Sequence, residues 1–154
     1  MIIYLIGSMR NPRIPEIGNL LRAEGHETFE EWYAPGSQAD EEWQKYEKQR
    51  GRSYKEALAG YHAKHVFAFD LYHLDRCDMG VLVLPAGKSA HMELGYLRGS
   101  KKPTIALFDG EPERYDIMYQ FATAICFSID ELLMELQVMQ QRRGMVTAPW
   151  GSDR

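Results

Sequence analysis

The chain has 154 residues, 45% of them hydrophobic and 26% charged, with a formal net charge of −4. These values fit one globular domain that buries a core without disulfide or metal staples, and they exclude a largely disordered or collagen-like chain. The acidic balance supplies no general field for nucleic acid and leaves room only for a small basic pocket the size of one phosphate. In chain order, Ile2 to Ile6 is a short apolar run closed by Gly7 and reads as a buried strand. Pro12 and Pro15 suit a loop and the first turn of a helix, whose Ile14, Ile17, Leu20 and Leu21 share one face and which stops near Gly25. Residues 27–33 read as a second strand. Residues 34–52 form an inserted segment: turn-rich from Ala34 to Asp40, then a short helix carrying Trp43 and Tyr46.

From Ser53 the pattern is helical, with Tyr54, Ala57, Leu58, Tyr61, His65, Phe69 and Tyr72 in 3- and 4-residue steps, ending near Arg76. Gly80 to Leu84 is the unbroken apolar run of a central parallel strand. Pro85 to Lys88 is a loop, and Ser89 is expected to cap the next helix, which carries His91, Glu93, Leu94 and Leu97. Thr104 to Phe108 reads as a strand, 113–122 as a helix and 124–127 as a short strand. A last helix opens on the capping-box sequence Ser128-Ile129-Asp130-Glu131. The expected organisation is one domain over residues 1–143 and a loose tail over 144–154.

The alternation of strands and helices implies an α/β fold: an open, parallel, five-stranded sheet with helices on both faces, Rossmann-like. Ligands in such sheets sit beyond the carboxyl ends of the strands, so segments 7–13, 31–40, 85–93 and 109–116 are where function is sought. Cys77 and Cys126 form no CxxC pair and read as small buried residues; no disulfide framework or zinc site is indicated. The apolar runs are far short of the ~20 residues that cross a bilayer. The start MIIYLIG does not read as a signal peptide, so a cytoplasmic location and no membrane partner are expected. His62 and His65 share a helical face with no completed ligand set, so the expectation is no metal. The tyrosines, tryptophans and methionines are expected mostly in the core, with Trp32 and Trp43 partial exceptions beside the crevice.

Two loops carry chemistry. Gly7-Ser8-Met9-Arg10 combines a glycine, a hydroxyl, free N–H groups and an arginine, a set that suits a phosphate; an ordinary turn with a solvent-facing arginine is the plain alternative. Gly87-Lys88-Ser89 is not a P-loop, because the required earlier glycine is Leu82. It remains a small-residue loop running into a helix N-terminus, where an anion is favoured. Glu93 lies one turn inside that helix, either as a nucleophile or base facing the crevice or as a partner of the helix dipole.

Ile3-Tyr4-Leu5-Ile6-Gly7-Ser8-Met9-Arg10, Phe69-Asp70-Leu71, Asp78 entering a strand, and His91-Met92-Glu93-Leu94-Gly95-Tyr96 together resemble the nucleoside 2-deoxyribosyltransferase superfamily over roughly residues 2–128. Segment 34–56 matches poorly. The resemblance implies a flavodoxin-like sheet and a homodimer or higher homo-oligomer with shared active sites. It implies that Glu93 attacks C1′ of a deoxyribose, that Asp70 holds the sugar or assists proton transfer, and that Tyr4 orients Glu93. No cofactor is implied. Gly7, Ser8 and Arg10 resemble the branch that hydrolyses 2′-deoxynucleoside 5′-monophosphates, with Gly87, Lys88 and Ser89 adding donors and a cation. Gly87 stands where the base-exchanging branch often has an aspartate, which favours hydrolysis. Asp116 aligns with a residue that reaches the sugar's 5′ end from the neighbouring subunit. A carboxylate there needs Arg10 or Lys88 to offset a phosphate, or else it accepts from a free 5′-hydroxyl. Trp32 and Trp43 are candidates for base recognition, since aromatic faces stack on nucleobases.

The leading expectation is hydrolysis of the N-glycosidic bond of a 2′-deoxynucleoside 5′-monophosphate. The alternatives are base exchange between deoxynucleosides and a non-catalytic nucleotide sensor, because fold does not fix function.

Overall fold

The computed structural model describes residues 1–147, with side chains through Met145. Five parallel strands run β1 (Ile2–Ile6), β2 (Glu27–Phe29), β3 (Met79–Val83), β4 (Thr104–Leu107) and β5 (Ala124–Cys126), in the order β2-β1-β3-β4-β5. Helices α1 (Arg13–Ala23), α2 (Ala39–Gln49), α3 (Tyr54–Leu58), α4 (Tyr61–Arg76), α5 (Lys88–Gly99) and α6 (Ile129–Thr147) connect or follow them. The order reverses between β1 and β3, and that switch point is where open α/β sheets bind ligands. The Rossmann-like, all-parallel sheet is the one the sequence predicts.

Alternation along β1 sets the two cores. Ile3 and Leu5 face α1 and α6 with Ile14, Leu21, Val81, Ile105 and Leu132. Tyr4 and Ile6 face α4 and α5 with Leu74, Leu82, Leu94 and Leu97. Successive strand side chains point to opposite faces, so the β1 register alone aims Tyr4 at α4 and α5. Burying each of these large aliphatic side chains contributes roughly 1.5–3 kcal/mol, which pins that register.

Several local expectations are corrected. The helix expected from Ser53 to Arg76 is two helices broken at Gly60, which stands before α4 in extended geometry. A Cβ at Gly60 would collide with the Arg52 guanidinium, which bonds Glu47 Oε2 at 2.8 Å through Nε. Ser53 closes a reciprocal capping box with Glu56, so α3 is a short helix in its own right. Strand 27–33 shortens to Glu27–Phe29, followed by a 3-10 turn at Glu31–Tyr33. The helix expected over 113–122 is a 3-10 turn at Ile117–Phe121, started by Asp116 accepting from the Met118 N–H at 2.9 Å. Ser89 does not cap α5; Gly87 holds the N-cap position, so Ser89 lies within the first turn. At α6 Ser128 accepts from Glu131 N–H at 3.1 Å, but Glu131 reaches back to Phe127 N–H at 2.7 Å, one residue beyond a capping box. The loose tail expected from Gly144 falls mostly outside the described residues, and α6 itself continues to Thr147.

The aromatic residues divide differently from expectation. Tyr4 is fully buried, but Tyr61, Tyr72, Phe67, Met92 and Tyr115 are exposed. The periodicity of α4 is real, yet among the described residues the face bearing Tyr61 and Tyr72 is uncovered. Cys77 and Cys126 are buried and free. Among the described residues no helix is long and apolar enough to cross a membrane, and no group of three or more His, Cys, Asp or Glu side chains is placed to hold a metal.

Candidate active site

Three carboxylate and phenol side chains converge under the β1–β3 switch point. Tyr4 comes from the middle of β1, Glu93 from the second turn of α5 and Asp70 from the third turn of α4. Tyr4 Oη donates to Glu93 Oε1 at 3.3 Å. Burial, then the charges of Glu93 and Asp70, hold the Tyr4 phenol far above its ordinary range, so it remains a donor at any working pH. Glu93 is pushed up to about 8, first by burial and then by Asp70, against the lowering effect of the Tyr4 hydrogen bond. Asp70 is pushed up to about 6 by burial, and its Oδ1 is buried without a hydrogen-bond partner among the described residues. An orphaned carboxylate oxygen beside a second carboxylate is costly in a closed core, and it is the arrangement expected where a ligand supplies the missing donor.

An aromatic wall supports Tyr4. The Phe29 ring lies 5.2 Å from the Tyr4 ring and stacks on His73 at 3.7 Å with 11° between planes. Burial and then Arg76 lower the His73 pKa, so the stacked ring is neutral, and its Nδ1 is also buried without a partner. His73 shares the Asp70 face of α4, one turn on.

The two phosphate-candidate loops are neighbours. Asn11, buried after β1, donates from Nδ2 to the Pro85 carbonyl at 3.4 Å and accepts from the Arg13 N–H at 3.0 Å, tying the β1 loop to the β3 loop. Gly7 lies close under α1: a Cβ there would meet the tip of the Ile14 side chain, which would have to shift. The Ser8 hydroxyl accepts the Arg10 N–H at 3.1 Å, and the Arg10 guanidinium pairs with Glu41 of α2. Gly87, Lys88 and Ser89 are exposed at the start of α5. The Gly87 carbonyl receives His91 Nδ1–H at 2.7 Å, which turns Nε2 to the Tyr119 hydroxyl at 2.9 Å.

The remaining candidates lie apart from the dyad's contacts. Trp32 donates its indole N–H to the Leu5 carbonyl at 2.8 Å and packs against both cores. Trp43 lies on α2 with its ring 6.4 Å from His62, and its buried N–H has no partner. Asp116 lines a cavity of about 320 Å³ with His91, Leu94, Met118, Tyr119 and Phe121. The sequence reading missed Asn11, Phe29 and Glu41. Asn11 was within reach, since an Asn two residues before a helix invites an Asx turn; nothing local marks the other two.

No family model matches this sequence, and no curated protein does. Among solved structures, a Clostridium botulinum CMP N-glycosidase, BcmB, is similar at a TM-score of 0.53 and 16% identity, covering 89% of this chain and 99% of the other. A 2-deoxyribosyltransferase from Bacillus psychrosaccharolyticus is similar at a TM-score of 0.61 and 18% identity, covering 86% and 90% respectively. The fold of this chain is the one shared with these two proteins, and it is the fold that the nucleoside 2-deoxyribosyltransferase resemblance implies.

Proposed function

We propose that the protein is an enzyme that hydrolyses the N-glycosidic bond of a 2′-deoxynucleoside 5′-monophosphate, releasing free base and deoxyribose 5-phosphate. The observation that carries this reading is the buried Tyr4–Glu93–Asp70 cluster at the sheet's switch point. Two carboxyl groups with raised and unequal pKa values form an acid–base pair. Similarity of fold to a CMP N-glycosidase and a 2-deoxyribosyltransferase supports the bond class.

When the two carboxyls hold one proton it rests mostly on Glu93, the group with the higher pKa; the productive form is the minor one, with the proton on Asp70 and Glu93 a carboxylate stabilised by the Tyr4 hydroxyl. Glu93 attacks C1′ as the bond to the base nitrogen breaks, and the developing positive charge at C1′ faces a carboxylate, as in retaining glycosidases. Asp70 gives its proton to the leaving base. Asp70, now ionised, takes a proton from water, which attacks C1′ and releases Glu93. Ser8, Arg10, Gly87, Lys88 and Ser89 receive the 5′-phosphate, and Trp43 faces the base. No metal or organic cofactor enters these steps. In base exchange a second base replaces the water.

A second copy of the chain completes the assembly in this reading. The exposed Val66, Phe69 and Tyr72 of α4 with Met92 and Tyr96 of α5 form an apolar face suited to burial in a homodimer, and the Asp116 turn then approaches the partner's site. Light scattering at micromolar concentration tests this, with a dimeric or larger mass expected and a monomer contradicting it. We propose a cytoplasmic location for the enzyme.

The test of function is base release from each common deoxynucleoside monophosphate, from CMP and from the corresponding nucleosides, with and without an acceptor base, alongside Glu93→Ala. Release from monophosphates that is lost in the variant supports hydrolysis. Release only from nucleosides with an acceptor moves the assignment to base exchange, and binding without turnover moves it to a nucleotide sensor.

A further inference from the structure

The inserted segment makes one contact with the β1 loop that the proposed reaction does not require. Arg10, the arginine of the Gly7–Arg10 loop, is already occupied by the Glu41 carboxylate of α2. The geometry points to Glu41 as a specificity-determining residue: a built-in carboxylate that occupies the anion position of Arg10 and must be displaced by the phosphate of an incoming sugar phosphate. This rests on the phosphate role proposed for Arg10.

Three features support it. The pair is open to solvent, with side-chain exposures of 69% for Arg10 and 45% for Glu41, and an exposed ion pair of this kind is weak enough to exchange for a better anion. The helix that carries Glu41 is held from its other end. Glu47, buried on α2, pairs with Arg52 at 2.8 Å, and the Arg52 guanidinium lies against Gly60 at the start of α4. Glu41 is thus delivered to Arg10 as an intramolecular competitor at high local concentration. Finally, the loop beneath is preformed: Ser8 accepts the Arg10 N–H, and Asn11 fastens the loop to Pro85. Displacing Glu41 leaves the cradle in place.

The consequence is discrimination by charge. A phosphate dianion bonds a guanidinium through two oxygens and outcompetes one carboxylate. Singly charged anions and neutral sugars gain nothing from the exchange. Asp40 and Glu42 flank Glu41 in the first turn of α2 and add repulsion for any anion while the strap is closed.

The test is calorimetric titration of the full chain with deoxyribose 5-phosphate, and with deoxyribose as the neutral control. The wild type, Glu41→Gln, Arg10→Ala and the double variant are compared. Glu41→Gln is expected to bind the phosphate about two- to five-fold more tightly, the range an exposed ion pair allows. The gain is expected to vanish in the Arg10→Ala background and to be absent for deoxyribose. An unchanged affinity, a gain that persists without Arg10, or no phosphate binding by either wild type or Glu41→Gln overturns the inference. Base release, measured separately, judges the proposed reaction, so either can fail alone.

Discussion

Tyr4 of β1 donates its hydroxyl to Glu93 of α5 at 3.3 Å, across 89 positions of sequence. The Tyr4 ring is fully buried and backed by Phe29, so the donor is fixed in place before any ligand arrives. A fixed donor costs no reorganisation when Glu93 ionises. Tyr4→Phe keeps the ring and removes this single bond. The expected result is a loss of roughly 10- to 100-fold in kcat, the worth of a hydrogen bond to a charged group, with little change in Tm. Steady-state kinetics beside thermal unfolding separates this from a packing defect.

The dyad predicts a bell-shaped pH profile of kcat/KM. Below about 6 both carboxyls are protonated and Glu93 cannot attack. Above about 8 both are ionised and the leaving base receives no proton. The two limbs belong to the pair rather than to single residues. Asp70→Asn removes the neighbouring charge, so the Glu93 ionisation is expected to move to lower pH. A flat profile between pH 5 and 9 contradicts the assignment.

Glu93 also predicts a stability cost at high pH. Its folded pKa of about 8 lies above its ordinary 4.5, so the folded chain binds more protons than the unfolded chain between those values. That contribution is fully present below about pH 4.5 and is lost as pH rises toward 8. Glu93→Gln carries no charge to bury. It is expected to match the wild type near pH 4.5 and to exceed it at pH 8 by on the order of 4 kcal/mol, roughly 8–16 °C in Tm for a chain of this size. Unfolding curves at the two pH values check the sign.

Trp32 and Trp43 are separated by what their indole N–H groups do. Trp32 donates to the Leu5 carbonyl, so Trp32→Phe is expected to lower stability by about 1 kcal/mol and leave KM unchanged. Among the described residues the Trp43 N–H has no partner, and if Trp43 faces the base as proposed, Trp43→Ala is expected to raise KM by about 3- to 10-fold through lost stacking. An unchanged KM and substrate preference for Trp43→Ala removes it from base recognition.

Much of this architecture was legible because strands and helices announce themselves by period. The apolar runs Ile2–Ile6 and Gly80–Leu84 and the Ile14/Ile17/Leu21 face need no tertiary information; the second strand proves to start one residue earlier and end one earlier, at Met79–Val83. The β1 alternation even shows that Tyr4 and Leu5 point to opposite faces. It does not show which face meets α4 and α5, because that depends on the strand order. The break at Gly60 is hidden from the sequence because the Arg52 guanidinium that lies against it, paired with Glu47, comes from separate elements. The periodicity of α4 marked an apolar face but carried no record of what covers it. Glu93 is marked by its place one turn inside the helix after the Gly87–Ser89 loop, whereas Tyr4 and Asp70 are reached only through resemblance, since no local pattern joins residues so far apart. The Arg10–Glu41 pair lay beyond reach for the same reason: two surface charges on different elements carry no shared signal.

The most direct test of the central claim is base release from deoxynucleoside monophosphates by the wild-type protein and by Glu93→Ala. The account predicts free base and deoxyribose 5-phosphate from the wild type, no base from Glu93→Ala, and deoxyribose 5-phosphate binding retained in that variant. Base release that survives loss of the Glu93 carboxylate contradicts it.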